Sequence, residues 1–307
     1  MFLSSLKVII TPDSFIITRI QKILVKIAIF GAMGIIDVSV IISTYNKPEY
    51  LEKVLWSYQF QTFKNFEIII ADDGSTDETK AMVNYMVNKV DYPIRHVWHP
   101  DNGFQKTVIL NKATLAAMAD YLIYTDGDCI ARCDFVETHL ELRRPNIALS
   151  GGYFKLTEDV SKLITLNVIE SQNCFKKHWL LKKGQPWSFK MNKLSPSKLK
   201  TSLLNTFTTT KATFDGMNVS VWKDNVLEVN GFDERMVYGG EDRELGERLV
   251  NLGIVFKQIR YSAICLHLHH QRPYKNEKAI ANNKLIRMAT KNQKSTYTKF
   301  GITKTTH

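Results

Sequence analysis

Asp126-Gly127-Asp128 sets two carboxylates one residue apart, directly after the apolar run Tyr121-Leu122-Ile123-Tyr124. Such a pair at the carboxyl end of a buried strand can hold a divalent cation against the diphosphate of a sugar nucleotide. The cation neutralises the phosphates and makes them a better leaving group. Asp-x-Asp also occurs in solvated turns, so its neighbours must decide. Further acids follow other strand-like runs: Asp72-Asp73-Gly74-Ser75 after Glu67–Ala71, and Glu241-Asp242 after the paired glycines Gly239-Gly240. Paired glycines let a backbone approach a ligand closely, although the acids could equally favour a helix N-terminus. In Cys265-Leu266-His267-Leu268-His269-His270, alternation puts His267 and His269 on one side of an extended strand, with His270 as a substitute. Three crowded histidines point to coordination, and imidazole tilts the metal toward Mn²⁺ over Mg²⁺.

These residues need a frame that brings them together. Val38–Ser43, Glu67–Ala71, Ile94–Trp98 and the run ending at Thr125-Asp126 read as strands. Helical stretches separate them: Glu49 to Gln59, Ser75 or Thr76 through Val87, and Lys106 to Ala117. Strands alternating with helices predict an α/β fold with a mostly parallel, Rossmann-like sheet covered on both faces. Ligands of such sheets bind beyond the carboxyl ends of the strands, where Asn46, Asp72-Asp73 and Asp126-Asp128 all fall. A helix over Asp242–Asn251 and strand-like Val255–Ile259 and Ala263–Leu268 complete the pattern. The lysine-rich stretch Lys155–Lys211 reads as a solvated excursion. The resulting division is a basic apolar extension over 1–36, a catalytic domain over 37–275 (donor half 37–150, acceptor half 151–275) and a basic tail over 276–307.

At 307 residues, with 44% hydrophobic and 23% charged residues, the chain is long enough for a sizeable core. A net charge of +11 implies anionic company. No zinc-finger, helix-turn-helix or ribonucleoprotein motif supports nucleic acid. The four cysteines, Cys129, Cys133, Cys174 and Cys265, form no CxxC pair and read as reduced packing residues, in keeping with the cytoplasm. Ile16, Ile17, Ile20, Leu24 and Ile27 recur at helical spacing, with Arg19, Lys22 and Lys26 on another face. That is the pattern of a basic helix on an anionic membrane surface. A packing arm, or an extension ahead of a start at Met33, would give the same pattern.

Val40–Asn46, Ala71–Asp77 and Thr125–Asp128 occur in the order of glycosyltransferase family 2, and the chain resembles that family's enzymes of GT-A nucleotide-diphospho-sugar transferase fold. Gly231-Phe232-Asp233 and Gly239-Gly240-Glu241-Asp242 resemble the carboxyl-terminal half of a β-1,4-galactosyltransferase-type enzyme. The resemblance spans Asp37 to His270. It implies inverting transfer from a nucleotide sugar, with Mn²⁺ (or Mg²⁺), in bacterial surface polysaccharide or lipopolysaccharide assembly at the inner membrane face. For a UDP-sugar donor, Thr44 and Asn46 would position base and ribose, and Asp72 would accept a hydrogen bond from the uracil N–H, with Asp73 as the alternative. Asn102–Lys106 resembles the segment over the donor: Lys106 would pair with the diphosphate, and Asn111 would face the metal motif. Asp128 would bind the metal with His267 and His269, and Asp126 would touch the ribose or a metal-bound water. Asp242 matches the family's general base, deprotonating the hydroxyl of a glycan or lipid-linked saccharide acceptor. Glu241 and Gly240 would hold that acceptor, and Tyr238 stands where the relatives carry an aromatic platform, usually tryptophan. Arg243 departs from a further acid common in that group, so acceptor identity does not carry over.

Two other classes compete. A nucleotidyltransferase wants a glycine-rich loop after the first strand, which Ser43-Thr44-Tyr45-Asn46 does not supply. A non-catalytic glycan-binding protein does not need a full set of metal, donor and base residues.

Overall fold

The computed structural model describes residues 35–271 and 277–304. The basic helical pattern within residues 1–34, and the membrane role expected of it, lie outside them. Asp37–His307 forms one compact unit. Among the described residues, ten strands occur: β1 (Val38–Thr44), β2 (Phe66–Asp72), β3 (Ile94–Trp98), β4 (Tyr121–Asp126), β5 (Cys129–Ala131), β6 (Ile147–Ser150), β7 (Gly152–Lys155), β8 (Asn218–Trp222), β9 (Val255–Gln258) and β10 (Ile264–His267). Seven form the main sheet in the order β3-β2-β1-β4-β8-β6-β9, and β5-β10-β7 form a small second sheet. The expected mixed α/β architecture is present. β1 to β4 pair in parallel, whereas β8 runs antiparallel to both β4 and β6.

The apolar runs are strands because each must bury both faces. Val38, Val40 and Ile42 point into one core and Ile41 into the other; Ile68 and Ile70 oppose Ile69, and Tyr121 and Ile123 oppose Leu122 and Tyr124. A parallel strand buried on two sides reads as a continuous hydrophobic run for this reason. Helix Pro48–Gln59 covers one face with Leu51, Val54, Leu55 and Tyr58. Helices Lys106–Ala116 and Glu241–Asn251 cover the other with Ile109, Ala113, Leu245 and Leu249. Truncating a buried leucine such as Leu249 to alanine would cost about 2–5 kcal/mol.

Helix Glu241–Asn251 is fixed by a buried ion pair. Arg248, 1% exposed, binds Glu244 one turn earlier and donates to the carbonyls of Val229 and Gly231. Thr290 Oγ1 donates to Glu244 at 2.8 Å, which ties in helix Glu277–Asn292. The start of the helix, where Glu241 and Asp242 sit, is thereby held relative to the sheet. The Lys155–Lys211 stretch differs from the solvated excursion expected of its charge. It folds into short helices whose Cys174, Leu180, Met191 and Leu194 join the core. Apolar residues scattered between lysines there make no clear periodic signal, yet these four are buried in three dimensions.

Candidate active site

A cleft of about 740 Å³ opens at the carboxyl ends of β1, β2 and β4. Register aligns these ends: Thr44 pairs with Asp72, and Ser43 with Asp126. At Asp72-Asp73-Gly74-Ser75 the two carboxylates divide. Asp72 is fully buried under the cleft, accepting from the Ser75 amide (2.9 Å) and meeting His96 Nε2 (2.8 Å). Asp73 lines the cleft, meeting His99 Nε2 (2.8 Å) and accepting from the Gln105 amide (3.0 Å). Burial pushes the Asp73 carboxyl up from its usual range against these hydrogen bonds. Gly74, at φ +90°, allows the turn; a Cβ there would lie 2.6 Å from Asp101 Cα. Asn46, also left-handed at φ 46°, lines the cleft and braces the same turn through Ser75 Oγ and the Thr76 amide.

At the end of β4, Asp126 Oδ1 accepts from Ser43 Oγ (2.6 Å) and from Lys106 Nζ (2.7 Å). Burial works against the Lys106 charge, but Asp126, Glu241 and Asp242 outweigh it and hold the ammonium above its ordinary range. Lys106 is therefore paired with Asp126 and within electrostatic reach of Glu241 and Asp242. Thr44 Oγ1 lines the cleft buried and without a hydrogen-bond partner among the described residues. A donor held against it would satisfy that atom.

Asp128, His267 and His270 bring three ligand atoms within 4.8 Å of one another. β10 pairs antiparallel with β5, setting His267 opposite Cys129, and the Leu268 amide donates to the Asp128 carbonyl. His270 Nε2 lies 2.9 Å and His267 Nε2 3.9 Å from Asp128 Oδ2, with the two rings stacked. Burial would raise the Asp128 carboxyl, but the two histidines, His270 foremost, bring it below its usual range. One carboxylate with two imidazoles suits a borderline divalent ion. The expected partner, His269, is elsewhere. β10 ends at His267, so strand alternation stops applying; His269 is half-exposed with Nδ1 4.0 Å from Glu158. Its amide donates to Ser161 Oγ and its carbonyl accepts from Tyr50, which turns His270 back to Asp128.

The start of helix Glu241–Asn251 also lines the cleft. Gly239 (φ +111°) and Gly240 (φ +90°) take left-handed conformations that side chains rarely adopt. Glu241 Oε2 accepts from the Gly239 amide, and burial, then Asp242, push its carboxyl up. Asp242 faces the cleft, its oxygens accepting from the amides of Gly216 (3.1 Å) and Arg243 (2.7 Å). Tyr238 lines the cleft edge-on to Phe104, with ring centroids 5.9 Å apart. Asn111, by contrast, does not reach the cleft. Only 2% exposed, it bonds both backbone groups of Phe232 and the Glu234 carboxylate, so it locks the Gly231-Phe232 turn instead of facing the metal motif. Sequence reading also missed Asp215 and Tyr45 in the lining. Burial, followed by Asp242, raises the Asp215 carboxyl. Its only sequence signal is an acid just before Gly216-Met217, with no spacing to mark it.

Residues 39–159 match glycosyl transferase family 2, and residues 204–271 match the N-terminal domain of galactosyltransferase. Chondroitin synthase of Escherichia coli is 28% identical over 276 residues, covering 86% of this chain and 39% of that protein. Hyaluronan synthase of Pasteurella multocida is 27% identical, covering 78% and 25% respectively. The uncharacterized glycosyltransferase YfnE of Bacillus subtilis is 28% identical, covering 76% and 64%. The chain thus spans between a quarter and two-thirds of these relatives' lengths. Among solved structures, the mannosyltransferase PcManGT from Pyrobaculum calidifontis, in complex with GDP-Man and Mn²⁺, superposes with TM-score 0.56 at 18% identity, over 83% of this chain and 64% of that one. S. aureus TarS 1–349 in complex with UDP-GlcNAc does so with TM-score 0.53 at 16% identity, over 84% and 69%. The likeness identifies the fold as GT-A.

Proposed function

We propose that this glycosyltransferase, whose residues 39–159 match glycosyl transferase family 2, moves a hexose or N-acetylhexosamine from a UDP-sugar to a hydroxyl of a glycan or lipid-linked saccharide, with inversion. The observation that carries the reading is that one cleft is lined by both the Asp128–His267–His270 cluster and Asp242. TarS in complex with UDP-GlcNAc and PcManGT in complex with GDP-Man and Mn²⁺ lend support for a nucleotide-sugar donor and a divalent metal. The likeness to chondroitin and hyaluronan synthases supports a role in polysaccharide synthesis.

In this reading Asp73, not Asp72, meets the uracil N–H, because Asp73 lines the cleft whereas Asp72 is fully buried beneath it. Thr44 and Asn46 border the nucleoside. Lys106, already beside Asp126, faces the diphosphate, and the N-terminus of its helix adds favourable potential. Asp128, His267 and His270 would hold Mn²⁺ (or Mg²⁺), which when bound supplies charge neutralisation for the departing UDP. Asp242 takes the proton of the acceptor hydroxyl, its carboxylate aimed by two backbone amides. Glu241 and Gly240 hold acceptor hydroxyls, and Tyr238 supplies an apolar face for the sugar. Asp242→Asn should keep UDP and Mn²⁺ affinity within about twofold, while transfer falls by at least about 100-fold, in line with loss of a general base. UDP release with acceptor, beside calorimetric UDP binding, measures both; near-native transfer would refute the role.

Contact with an anionic membrane is the reading we favour for the lysine-rich segment. Leu199, Leu203 and Phe207 form one stripe of helix Lys198–Phe207, at 74%, 51% and 77% exposure, with Trp187 and Phe189 exposed as well. Exposed Lys182, Lys183, Lys190, Lys198 and Lys200 surround them in sequence. Apolar anchors among cations suit the headgroup boundary of acidic lipid. No helix among the described residues is long and apolar enough to cross a membrane.

A further inference from the structure

A side cavity of about 90 Å³ adjoins the acceptor wall, and Asp215 lines both it and the main cleft. At about 30 Å³ per water it has room for roughly three waters, or for one carboxylate or phosphate group. Four cations line it, Lys193, Lys211, Arg243 and Arg260, against the single carboxylate of Asp215. Arg243 directly follows the proposed base, and its Nη2 stands 3.8 Å from Asp215 Oδ2, too long for a tight pair. Arg260 Nε is buried without a hydrogen-bond partner among the described residues, and so is Gln258 Oε1 on the same lining. Lys193 is only 5% exposed, held by the Tyr153 carbonyl at 2.9 Å and over the Tyr153 ring. Burial, and then Arg260, bring the Lys193 amine down to about 8, as expected where positive charge is crowded and unneutralised. The floor is glycine by necessity: a Cβ on Gly152 would fall 2.1 Å from the Arg260 carbonyl oxygen.

We propose that this cavity is an acceptor subsite for an anionic group, a carboxylate or phosphate borne by the acceptor close to the hydroxyl that is glycosylated. The inference rests on the acceptor side of the function proposed above. Anionic oxygens would satisfy the orphaned Arg260 Nε and neutralise Lys193 and Arg243, while Gln258 Oε1 accepts from a neighbouring hydroxyl. An unpaired buried donor is costly, so a ligand that pairs it gains both attraction and relief of that cost. Neutral saccharides leave the cations unpaired and bind more weakly.

The test is calorimetry on the full chain, with and without UDP and Mn²⁺, titrating methyl β-D-glucuronide, glycerol 3-phosphate and methyl β-D-glucoside. At least one anionic probe should bind ten times or more tighter than the glucoside. Preference for the glucuronide identifies a carboxylate subsite, and preference for glycerol phosphate a phosphate one. Arg260→Gln should erase the preference, as should Lys193→Met if the first variant loses its native melting transition. Equal binding of all three probes, or a preference that survives in the folded variants, overturns the subsite. Failure of the donor reading shows separately, as absent UDP binding in the native chain.

Discussion

At the scale of single residues, chemistry depended on which of several similar side chains faces the cleft. Asp72 and Asp73 are neighbours of one type, yet Asp72, the last residue of β2, is buried beneath the cleft, and Asp73, just past the strand end, lines it. Among the histidines strand alternation misled, because it holds only while the chain stays extended, and β10 stops at His267. Removing His270 should therefore weaken Mn²⁺ binding by about 10–100-fold, the range for losing a supporting group at a metal site. His269→Ala should leave it within about twofold. Titration of Mn²⁺ followed by electron paramagnetic resonance separates them, and equal effects would restore His269 to the site. Thr44, Lys106, Asp126, Asp128 and Asp242 could be picked out by type and position, and all of them line the cleft. Asp215 could not, because its neighbours in the cleft are 89 and 27 positions away in Asp126 and Asp242.

At the scale of elements, long strands and amphipathic helices were legible and short ones were not. β1, β2 and β4 are six or seven residues long and mostly apolar, enough to register a pattern. β5, with three residues, and β7, with four, fall below the length at which alternation can be told from chance, whereas β10 shows within the strand-like run Ala263–Leu268. Yet that small sheet brings His267 to Asp128. Helix Lys198–Phe207 illustrates the converse: its stripe is clear, but what it faces is not coded in the pattern. If it meets anionic lipid, a Leu199→Ser/Leu203→Ser/Phe207→Ser variant should lose most of its recovery with phosphatidylglycerol vesicles in flotation, while UDP binding stays native. Equal recovery of variant and native chain would remove the helix as an anchor.

At the scale of the whole molecule, the sheet is pinned by polar groups that the core has drawn in. His139 is fully buried, its ring nitrogens 2.7 Å from Ser220 Oγ and 3.0 Å from Asn218 Oδ1 on β8. Burial depresses its pKa from 6.5 to about 4. Below pH 6.5 the unfolded chain takes up this proton while the folded one does not until about pH 4, so stability falls across that window and is fully present above it. The contribution is on the order of 3 kcal/mol, at about 1.4 kcal/mol per pKa unit. Denaturant unfolding at pH 7 and 4.5 should show a loss about 2–3 kcal/mol smaller in His139→Gln than in the native chain; equal losses would mean His139 does not titrate in this range. What the sequence determined alone was the α/β architecture and the acids at strand ends, because backbone periodicity and local composition act over a few residues. Which acid of Asp72-Asp73 lines the cleft, which histidine joins Asp128, and the basic cavity beside Asp215 were decided only by tertiary structure. Those contacts join residues tens to over a hundred positions apart, through strand pairings and turns too short to leave a pattern.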